Sequence, residues 1–553
     1  MSNIGPCTGS PVSAIINWVI EMNNNRHINN LYITLLLIIF LMFLAAGIWW
    51  YYYVHAFVAL PYNDALDYAS MARNISLGRG FTSRYITPLS LVHAGAPYPN
   101  LWRAPLWPLF LAGCFKIFSA TDTVAAGAGA FFYIAAIPPL FLLSRKITGS
   151  KTAAFCTCLL CIFSPQALFY SLSGMTEPMS LFFMALWVYL LLKAPGRGRG
   201  FFLFCGAVAG VFYLTRYNAI IFLPLSCLYL WWTSGEDNKK KALQLTLYLG
   251  GWLFAVSPWL WRNYLVAGNP FFSLQSYEPA MFTASYPAYT LYMLPQIINV
   301  KDFILQHPGE LLLKIKEGAS IFLRGAFDPS FAGTAPFLAA FSLPGVFLPA
   351  RGRSKVKKLK LFVASCFFAQ LAALLFVHYI PRLFFIFMPF YIIFALLFLK
   401  HCLAFLKSPP LKAFLLAGVV TVAFFFNMPA WHEPNTRLDW PQAYAGPIED
   451  ASLHISPEGV VISNDGHILS WYADRLAIKM PVRLEQISEL EKLAPVEGIW
   501  LSNRFKWGNT PEADAEWLEI MRQKPQKLGN FFLFSAYEDG SLLYLKTLLH
   551  PEQ

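Results

Sequence analysis

The chain has 553 residues, of which 57% are hydrophobic and 13% are charged, and its formal net charge is +12. Apolar runs of about 17 to 23 residues recur along it, the length that spans a hydrocarbon core, which excludes an ordinary soluble protein. Nucleic-acid binding is not indicated either, because the basic excess lies in the apolar part, whereas residues 430–553 have 11 Lys and Arg against 18 Asp and Glu.

Eleven membrane-spanning helices are predicted after a cytoplasmic N-terminal segment, residues 1–30. The first apolar run is too long and begins too late for a signal peptide, and it lacks a cleavage site of small residues, so we predict a retained helix. The predicted spans are 31–53, 124–143, 152–170, 177–193, 201–216, 219–233, 243–261, 334–350, 361–378, 383–400 and 411–428.

The loops between these spans alternate in charge. Every second connection is rich in Lys and Arg, and the clearest example is RGRSKVKKLK at 351–360. Basic loops face the cytoplasm in most membrane proteins, so the N-terminus is predicted inside and the C-terminal region, 429–553, outside. In a bacterium this places a transmembrane domain, 31–428, in the inner membrane and the tail in the periplasm.

One further apolar run, PLWPLFLAGCFKIF at 105–118, does not fit this alternation as a span. It is short and contains Lys116 and two prolines. We predict a helix that lies on the outer face or dips into it, within a first outer loop at 54–123.

The tail has the pattern of a small α/β domain. Alternating and apolar runs predict two strands, two amphipathic helices and a hairpin that turns at Asp539-Gly540. These segments are 459–463 and 497–502 for the strands, 485–493 and 511–523 for the helices, and 531–545 for the hairpin. Asp465 and His467 lie close together, and ordinary surface hydrogen bonding is the interpretation that we favour for them.

Seven ionisable residues fall at the outer ends of spans or in outer loops. They are Asp64, Asp67, Arg103, Glu177, Arg216, Arg262 and Arg382. An ionisable group near the bilayer is costly and is a functional candidate by default. A single arginine there often extends to the interface, but several arginines converging on one face with carboxylates favour a binding site.

The chemistry of these residues points to a lipid phosphate. The planar guanidinium group gives phosphate bidentate, charge-assisted hydrogen bonds, and a nearby carboxylate can take a proton from an attacking hydroxyl. Group transfer from a lipid phosphate is therefore the predicted activity. A lipid or polysaccharide transporter or flippase is the alternative, and a structural or assembly protein is a second one.

Several segments, in this order and on this outer face, resemble polyprenyl-phosphate-sugar glycosyltransferases of the GT-C superfamily. Glycosyltransferase family 39, with protein O-mannosyltransferases and aminoarabinose transferases, is the most similar group. The resemblance covers about residues 31–480. Its segments are Asp64 with Tyr68, ARNISLGRGF, RAPLWPLFLA, SGMTEPMSLFFMALWVYLLL, SPWLWRNYLVAGNPFF, HYIPRLFFIFMPFYIIF and ISNDGHILSWYADRLAIKMPVRL.

The resemblance implies a polytopic, GT-C-like helical fold and an inverting transferase whose first outer loop carries the catalytic acid. The family's aspartate maps onto Asp64, which precedes Tyr68 by four residues. Its phosphate-binding arginine maps onto Arg262 or Arg382, with Arg216 as a third possibility, and Arg103 is the remaining candidate.

Many family members have a glutamate directly after this aspartate, whereas Ala65 stands here. The role of the second carboxylate therefore passes to Asp67 or Glu177, or is absent, and a divalent metal is left open with no ligand set assigned. Tyr68 is a possible catalytic partner, but packing or positioning Asp64 is the interpretation that we favour for it. On a surface helix Asp67 could instead be a first-turn charge, and Glu177 could cap the helix that it begins. If both aspartates are buried beside a phosphate, their repulsion raises one pKa.

Overall fold

The computed structural model describes residues 11–348, 354–427, 440–504 and 511–546, and most of them are helical. The helices before the tail are α1 Pro11–Ala56, α2 Asn63–Ser76, α3 Pro88–His93, α4 Leu106–Ile117, α5 Asp122–Ala135, α6 Ile137–Thr148, α7 Lys151–Ile162, α8 Pro165–Leu172, α9 Glu177–Lys193, α10 Arg199–Thr215, α11 Phe222–Thr233, α12 Asn238–Ala267, α13 Val300–Gln306, α14 Pro308–Gly325, α15 Pro329–Ala332, α16 Pro336–Phe347, α17 Ser354–Val377, α18 Met388–Cys402 and α19 Pro409–Asn427. Short 3₁₀ helices include Tyr217–Ile221, Leu274–Ala280, Thr290–Met293 and Pro381–Phe387.

The predicted spans all fall on helices, as far as the structure describes them. By length and composition, four of the described helical segments could cross a membrane, or five if the bent pair α7 and α8 is one span. These four are Asn30–Ala56, Asp122–Thr148, Ser354–Val377 and Pro381–Phe405. The helical, apolar body is therefore confirmed, and the number of eleven spans stays a prediction.

Helices α10 and α12 pack backbone to backbone through glycines. A Cβ atom at Gly206 would lie 1.8 Å from the carbonyl oxygen of Tyr248, and one at Gly251 would lie 2.0 Å from that of Leu203. Small residues allow this close approach, which is common between membrane helices. Gly206 contacts Tyr248 and Gly210 contacts Val256, so the two helices run in the same direction and their C-terminal ends, near Arg216 and Arg262, lie on the same side of the body.

The apolar run at 105–118 is helix α4, and it packs against α2 in the first outer loop. The indole N–H of Trp107 donates to the carbonyl oxygen of Gly174, 2.9 Å away, in the turn between α8 and α9. Gly174 has a φ of +70°, which a side chain would strain. This contact holds the first loop against the N-terminus of α9, where Glu177 lies. That α4 does not cross the membrane stays a prediction.

The tail contains a seven-stranded sheet in the order β1-β3-β2-β4-β7-β6-β5, in which the first four strands are parallel. Its predicted strands and hairpin are present, and three further strands, β1, β3 and β5, were not predicted. The strands are β1 Tyr85–Ile86, β2 Val460–Ser463, β3 Leu476–Lys479, β4 Val496–Leu501, β5 Lys527–Leu528, β6 Phe531–Ala536 and β7 Leu542–Leu545. The described helices of the tail are α20 Trp440–Ala443, α21 Ala445–His454, α22 Gly466–Tyr472, α23 Ile487–Leu493 and α24 Pro511–Gln523.

The sheet takes its edge strand β1 from the first outer loop, so that loop and the tail form one packed unit. Asp474 of the tail pairs with three loop arginines, Arg73 at 2.8 Å, Arg84 at 3.1 Å and Arg79 at 3.3 Å. Arg73 also donates to two carbonyl oxygens in the last turn of α22, both at 2.6 Å. Cations are favourable at a helix C-terminus. These contacts fix the position of α2, which carries both predicted acids.

Candidate active site

Helix α2 places Asp64 and Asp67 on one face, one turn apart, as their spacing predicts. Arg103 bridges them: its Nη2 donates to Asp64 Oδ1 at 2.7 Å and its Nε to Asp67 Oδ2 at 2.8 Å. Ser83 Oγ donates to the other oxygen of Asp67 at 3.0 Å. Asp67 is only 1% exposed, whereas 26% of the Asp64 side chain is accessible. Asp64 is therefore the acid that a ligand can reach.

Arg103 is held rigidly in this bridging position. Its backbone N–H donates to Asn100 Oδ1 at 2.8 Å, and its carbonyl accepts from the hydroxyl of Tyr217 at 3.0 Å. The guanidinium group lies over the ring of Tyr68, 4.9 Å from its centroid. The arginine is buried and paired, so it is not an interfacial anchor, and Tyr68 packs beside it.

A second set of charges reaches Asp64 from the helical body. Arg382 Nη2 donates to Asp64 Oδ2, and Arg382 Nε lies 3.9 Å from Glu177 Oε1. Arg216 Nη2 donates to the same oxygen of Glu177 at 3.0 Å. We call these six residues the charge chain, because acids and arginines alternate along it: Asp67, Arg103, Asp64, Arg382, Glu177 and Arg216.

Glu177 is fully buried at the first position of α9. One of its oxygens pairs with the arginines, and the other, Oε2, has no hydrogen bond. Oγ1 of the preceding residue, Thr176, and Nε of Arg382 are also buried and have no hydrogen bond. Buried polar atoms are nearly always satisfied, so these three atoms mark a position suited to a polar ligand or water. The capping role considered for Glu177 is not observed, since its side chain is directed to the arginines.

The two aspartates differ in acidity because their surroundings differ. Burial alone would raise the pKa of Asp64, but the guanidinium groups of Arg103 and Arg382 and their hydrogen bonds outweigh it and lower that pKa. For Asp67, burial is the larger effect and raises its pKa despite Arg103. One pKa of the pair is thus raised, but not mainly by the repulsion between the two aspartates that we predicted. The main cause is burial, and the charge of Asp64 adds only a small contribution.

Arg262 lies apart from the charge chain. Its guanidinium group is over the rings of Trp259 and Phe81, at 4.8 Å and 5.4 Å, and its Nη2 donates to the Phe81 carbonyl at 3.3 Å. The indole of Trp259 in turn donates to the hydroxyl of Tyr217 at 2.8 Å. Of the four arginines predicted at the phosphate, the structure brings Arg103, Arg216 and Arg382 together with the acids. Arg262 is separated from these acids by aromatic side chains.

The surface location that we favoured for Asp465 and His467 is wrong. Asp465 is buried and accepts from Asn63 Nδ2 at 3.3 Å, and the His467 ring stacks on the ring of Tyr85 at 3.5 Å. Burial raises the pKa of Asp465 to about 6 and lowers that of His467 to about 3. The reason is strand β1, which belongs to the first loop and covers this end of the sheet.

A carboxyl group near the charge chain, Glu278, was missed. It lies in the 3₁₀ turn Leu274–Ala280, and its Oε1 accepts from the Tyr292 hydroxyl at 3.1 Å. Burial raises its pKa to about 7, and charges of Arg103 and Asp64 act on it as well. The turn is anchored by Lys314, whose Nζ donates to the carbonyl oxygens of Glu278, Pro279 and the following Met281 at 2.7–3.0 Å. An irregular loop gives no sequence signal for such a placement.

The donor atoms of the site do not fit a divalent cation. Both oxygens of Asp64 accept from guanidinium groups, and those of Asp67 accept from Arg103 and Ser83. Within the described ranges, no group of three or more His, Cys, Asp or Glu side chains could hold a metal ion. Arginine-rich surroundings of this kind suit an anion.

Residues 102–261 match the model of the dolichyl-phosphate-mannose-protein mannosyltransferase family. No curated protein sequence matches the chain significantly. This range includes Arg103, Glu177 and Arg216, and it ends directly before Arg262.

Three solved structures illustrate the similarity of fold. The ArnT protein from Cupriavidus metallidurans, bound to undecaprenyl phosphate, is 12% identical with a TM-score of 0.60, covering 92% of this chain and 98% of that one. The oligosaccharyltransferase of Archaeoglobus fulgidus in complex with Zn and sulfate is 15% identical, with a TM-score of 0.58 over 92% and 73% of the two chains.

AglB from the same archaeon, with an inhibitory peptide and a dolichol-phosphate, is 14% identical, with a TM-score of 0.58 over 94% and 74%. At these identities the likeness concerns the fold. Together with the family match over residues 102–261, it supports membership of the GT-C superfamily of glycosyltransferases.

Proposed function

We propose that the chain is an integral membrane glycosyltransferase that moves a sugar from a polyprenyl-phosphate donor to a hydroxyl acceptor, with inversion. The charge chain carries this proposal. It joins an accessible acid, Asp64, to an accessible arginine, Arg382, and each side chain is 26% exposed. A fully buried ion pair of purely structural function would leave neither group open to a ligand.

The donor class follows from the chemistry of the arginines and from the compounds bound to related folds. Guanidinium groups favour phosphate oxygens, with which they form paired hydrogen bonds. The ArnT structure holds undecaprenyl phosphate, and the AglB structure holds a dolichol-phosphate. A polyprenyl phosphate carrying a sugar is the substrate that combines an anion, an apolar chain and a transferable group.

In the proposed reaction, the acceptor hydroxyl oxygen attacks the anomeric carbon from the face opposite the phosphate. Asp64 accepts the hydroxyl proton as the new C–O bond forms. The bond between the anomeric carbon and the phosphate oxygen breaks, and its electron pair leaves with polyprenyl phosphate. Arg382 and Arg216 stabilise the charge that develops there. Arg103 and Asp67 hold Asp64 in place, and Arg262 is assigned a secondary contact with the lipid phosphate.

We assign the protein to a bacterial inner membrane, with the N-terminus in the cytoplasm and the tail in the periplasm. In a background without accessible native cysteines, Lys146→Cys is expected to react only with a reagent that reaches the cytoplasm, and Glu458→Cys with an impermeant one. Both positions are exposed. Labelling of Lys146→Cys from outside would reverse the assignment.

The activity is tested with purified protein and a panel of radiolabelled polyprenyl-phosphate sugars, offered with lipid, glycan and peptide acceptors. We expect label to move from one donor to an acceptor, with release of polyprenyl phosphate. A transporter or flippase would instead move labelled lipid across a vesicle membrane and leave the donor intact. That outcome for the whole panel would favour the alternative.

A further inference from the structure

We propose that Asp64 and the donor phosphate compete for the guanidinium group of Arg382, so that the phosphate takes this group away from Asp64 when the donor binds. The inference rests on the proposed function and deepens it. Donor binding and activation of the base then become one event, because Asp64 is released from an arginine only when a phosphate is present.

The subsite is defined by two arginines that converge on one small anion. Arg103 Nη2 donates to Oδ1 of Asp64, and Arg382 Nη2 donates to Oδ2. A carboxylate held on both oxygens by guanidinium groups occupies the position that phosphate oxygens take in arginine-rich sites. The exposed part of Asp64 and of Arg382 opens this pair to a ligand.

The two arginines differ in how firmly they are held. Arg103 is 7% exposed, is tied to Asp67 through Nε and lies against the Tyr68 ring. Within the described part of the chain, Arg382 donates a single hydrogen bond, the one to Asp64, and its Nε has none. Arg382 is therefore the partner that can turn toward a phosphate while Arg103 stays with the acids.

Glu177 keeps Arg382 near the subsite after it leaves Asp64. Its Oε1 lies 3.9 Å from Arg382 Nε, and its buried Oε2 has no hydrogen bond. A small rotation of the guanidinium group toward Glu177 would bring Arg382 Nε within hydrogen-bond distance of that carboxylate. Arg216, at 3.0 Å from Glu177, holds that carboxylate in place. Glu177 is in this view a positioning residue for Arg382.

Charge balance favours the exchange. The donor is a phosphodiester with one negative charge, the same charge as the carboxylate that it replaces. The product is a phosphate monoester with a charge of about −1.5 to −2 near neutral pH, so it holds Arg382 more strongly than the donor does. Polyprenyl phosphate is therefore expected to be a product inhibitor.

The test is equilibrium binding of undecaprenyl phosphate to the purified full chain in nanodiscs. In Asp64→Asn the competing carboxylate is gone, and we expect affinity to rise about 10-fold while transfer is lost. Arg382→Ala lowers affinity, and in the double variant the gain from Asp64→Asn disappears. Glu489→Gln removes one charge from an exposed position of the tail and should leave affinity unchanged.

Thermal unfolding provides a second measurement. Asp64→Asn should have a lower Tm than wild type without ligand, because two arginines lose their partner, and a larger Tm increase with undecaprenyl phosphate. If wild type binds undecaprenyl phosphate and transfers sugar, but Asp64→Asn binds this lipid with equal or weaker affinity, this inference alone is overturned. A wild type that neither binds the lipid nor transfers sugar would overturn the proposed function instead.

Discussion

Replacing Arg103 with alanine should damage both stability and transfer, because this side chain joins the two acids of α2. The substitution leaves Asp67, which is 1% exposed, with Ser83 as its remaining hydrogen-bond donor. Removing one partner of a buried ion pair costs about 3–5 kcal/mol, because an uncompensated charge stays behind. Asp64 also loses the hydrogen bond that fixes its position, and a small displacement of a catalytic group lowers the rate by about 100-fold.

The assay combines thermal unfolding in detergent with kcat/KM for transfer. Arg79→Ala is the matched control: Arg79 is 41% exposed and also pairs with an acid, Asp474, so its loss should cost no more than about 1 kcal/mol. In an Asp67→Asn background, Arg103→Ala should cost much less stability, because no buried charge is left. An Arg103→Ala protein with the Tm and activity of Arg79→Ala would show that Arg103 does not hold the two acids in place.

Three further predictions concern acidity, metal and the tail. The pKa of Glu278 is raised to about 7 in the folded protein. The contribution of this residue to stability is therefore present below the pKa of the unfolded state and is lost as pH rises through 7. The Tm of wild type should fall between pH 5 and 8, and that of Glu278→Gln should fall less. Transfer should persist after treatment with EDTA, since both oxygens of Asp64 are paired with arginines; loss of activity that Mg²⁺ or Mn²⁺ restores would contradict this. Asp474→Asn removes three ion pairs between the tail and the first loop, so hydrogen exchange of the Tyr85 and Ile86 amides should accelerate. Unchanged exchange would show that other contacts hold the tail against the loop.

Much of the site could be predicted because the loop charges indicate which span ends share a face. That reasoning selected Asp64, Arg103, Glu177, Arg216 and Arg382 from distant parts of the sequence, and the structure brings all five into one chain of contacts. Charge alternation gives the level of a residue along the membrane normal but not its position around the helical body. The separate location of Arg262 therefore could not be derived.

The tail shows a similar division. Its strands and hairpin follow alternating apolar patterns, which is a local signal. Strand β1 has only two residues and lies 392 positions before its partner β3, so no local pattern indicates it. The burial of Asp465 and the stacking of His467 on Tyr85 depend on that pairing, which explains why surface positions were expected. The relation between the two acids of α2 was predictable from their i and i+3 spacing.

Single-turnover transfer by wild type and by Asp64→Asn measures whether Asp64 is the base of the transfer step. Both proteins are loaded with the same radiolabelled polyprenyl-phosphate sugar, and release of polyprenyl phosphate and labelling of the acceptor are followed together. We expect wild type to complete the turnover with inverted anomeric configuration, and Asp64→Asn to retain the bound donor unreacted. Turnover by Asp64→Asn at the wild-type rate would contradict the assignment of Asp64 and of the charge chain as the site of transfer.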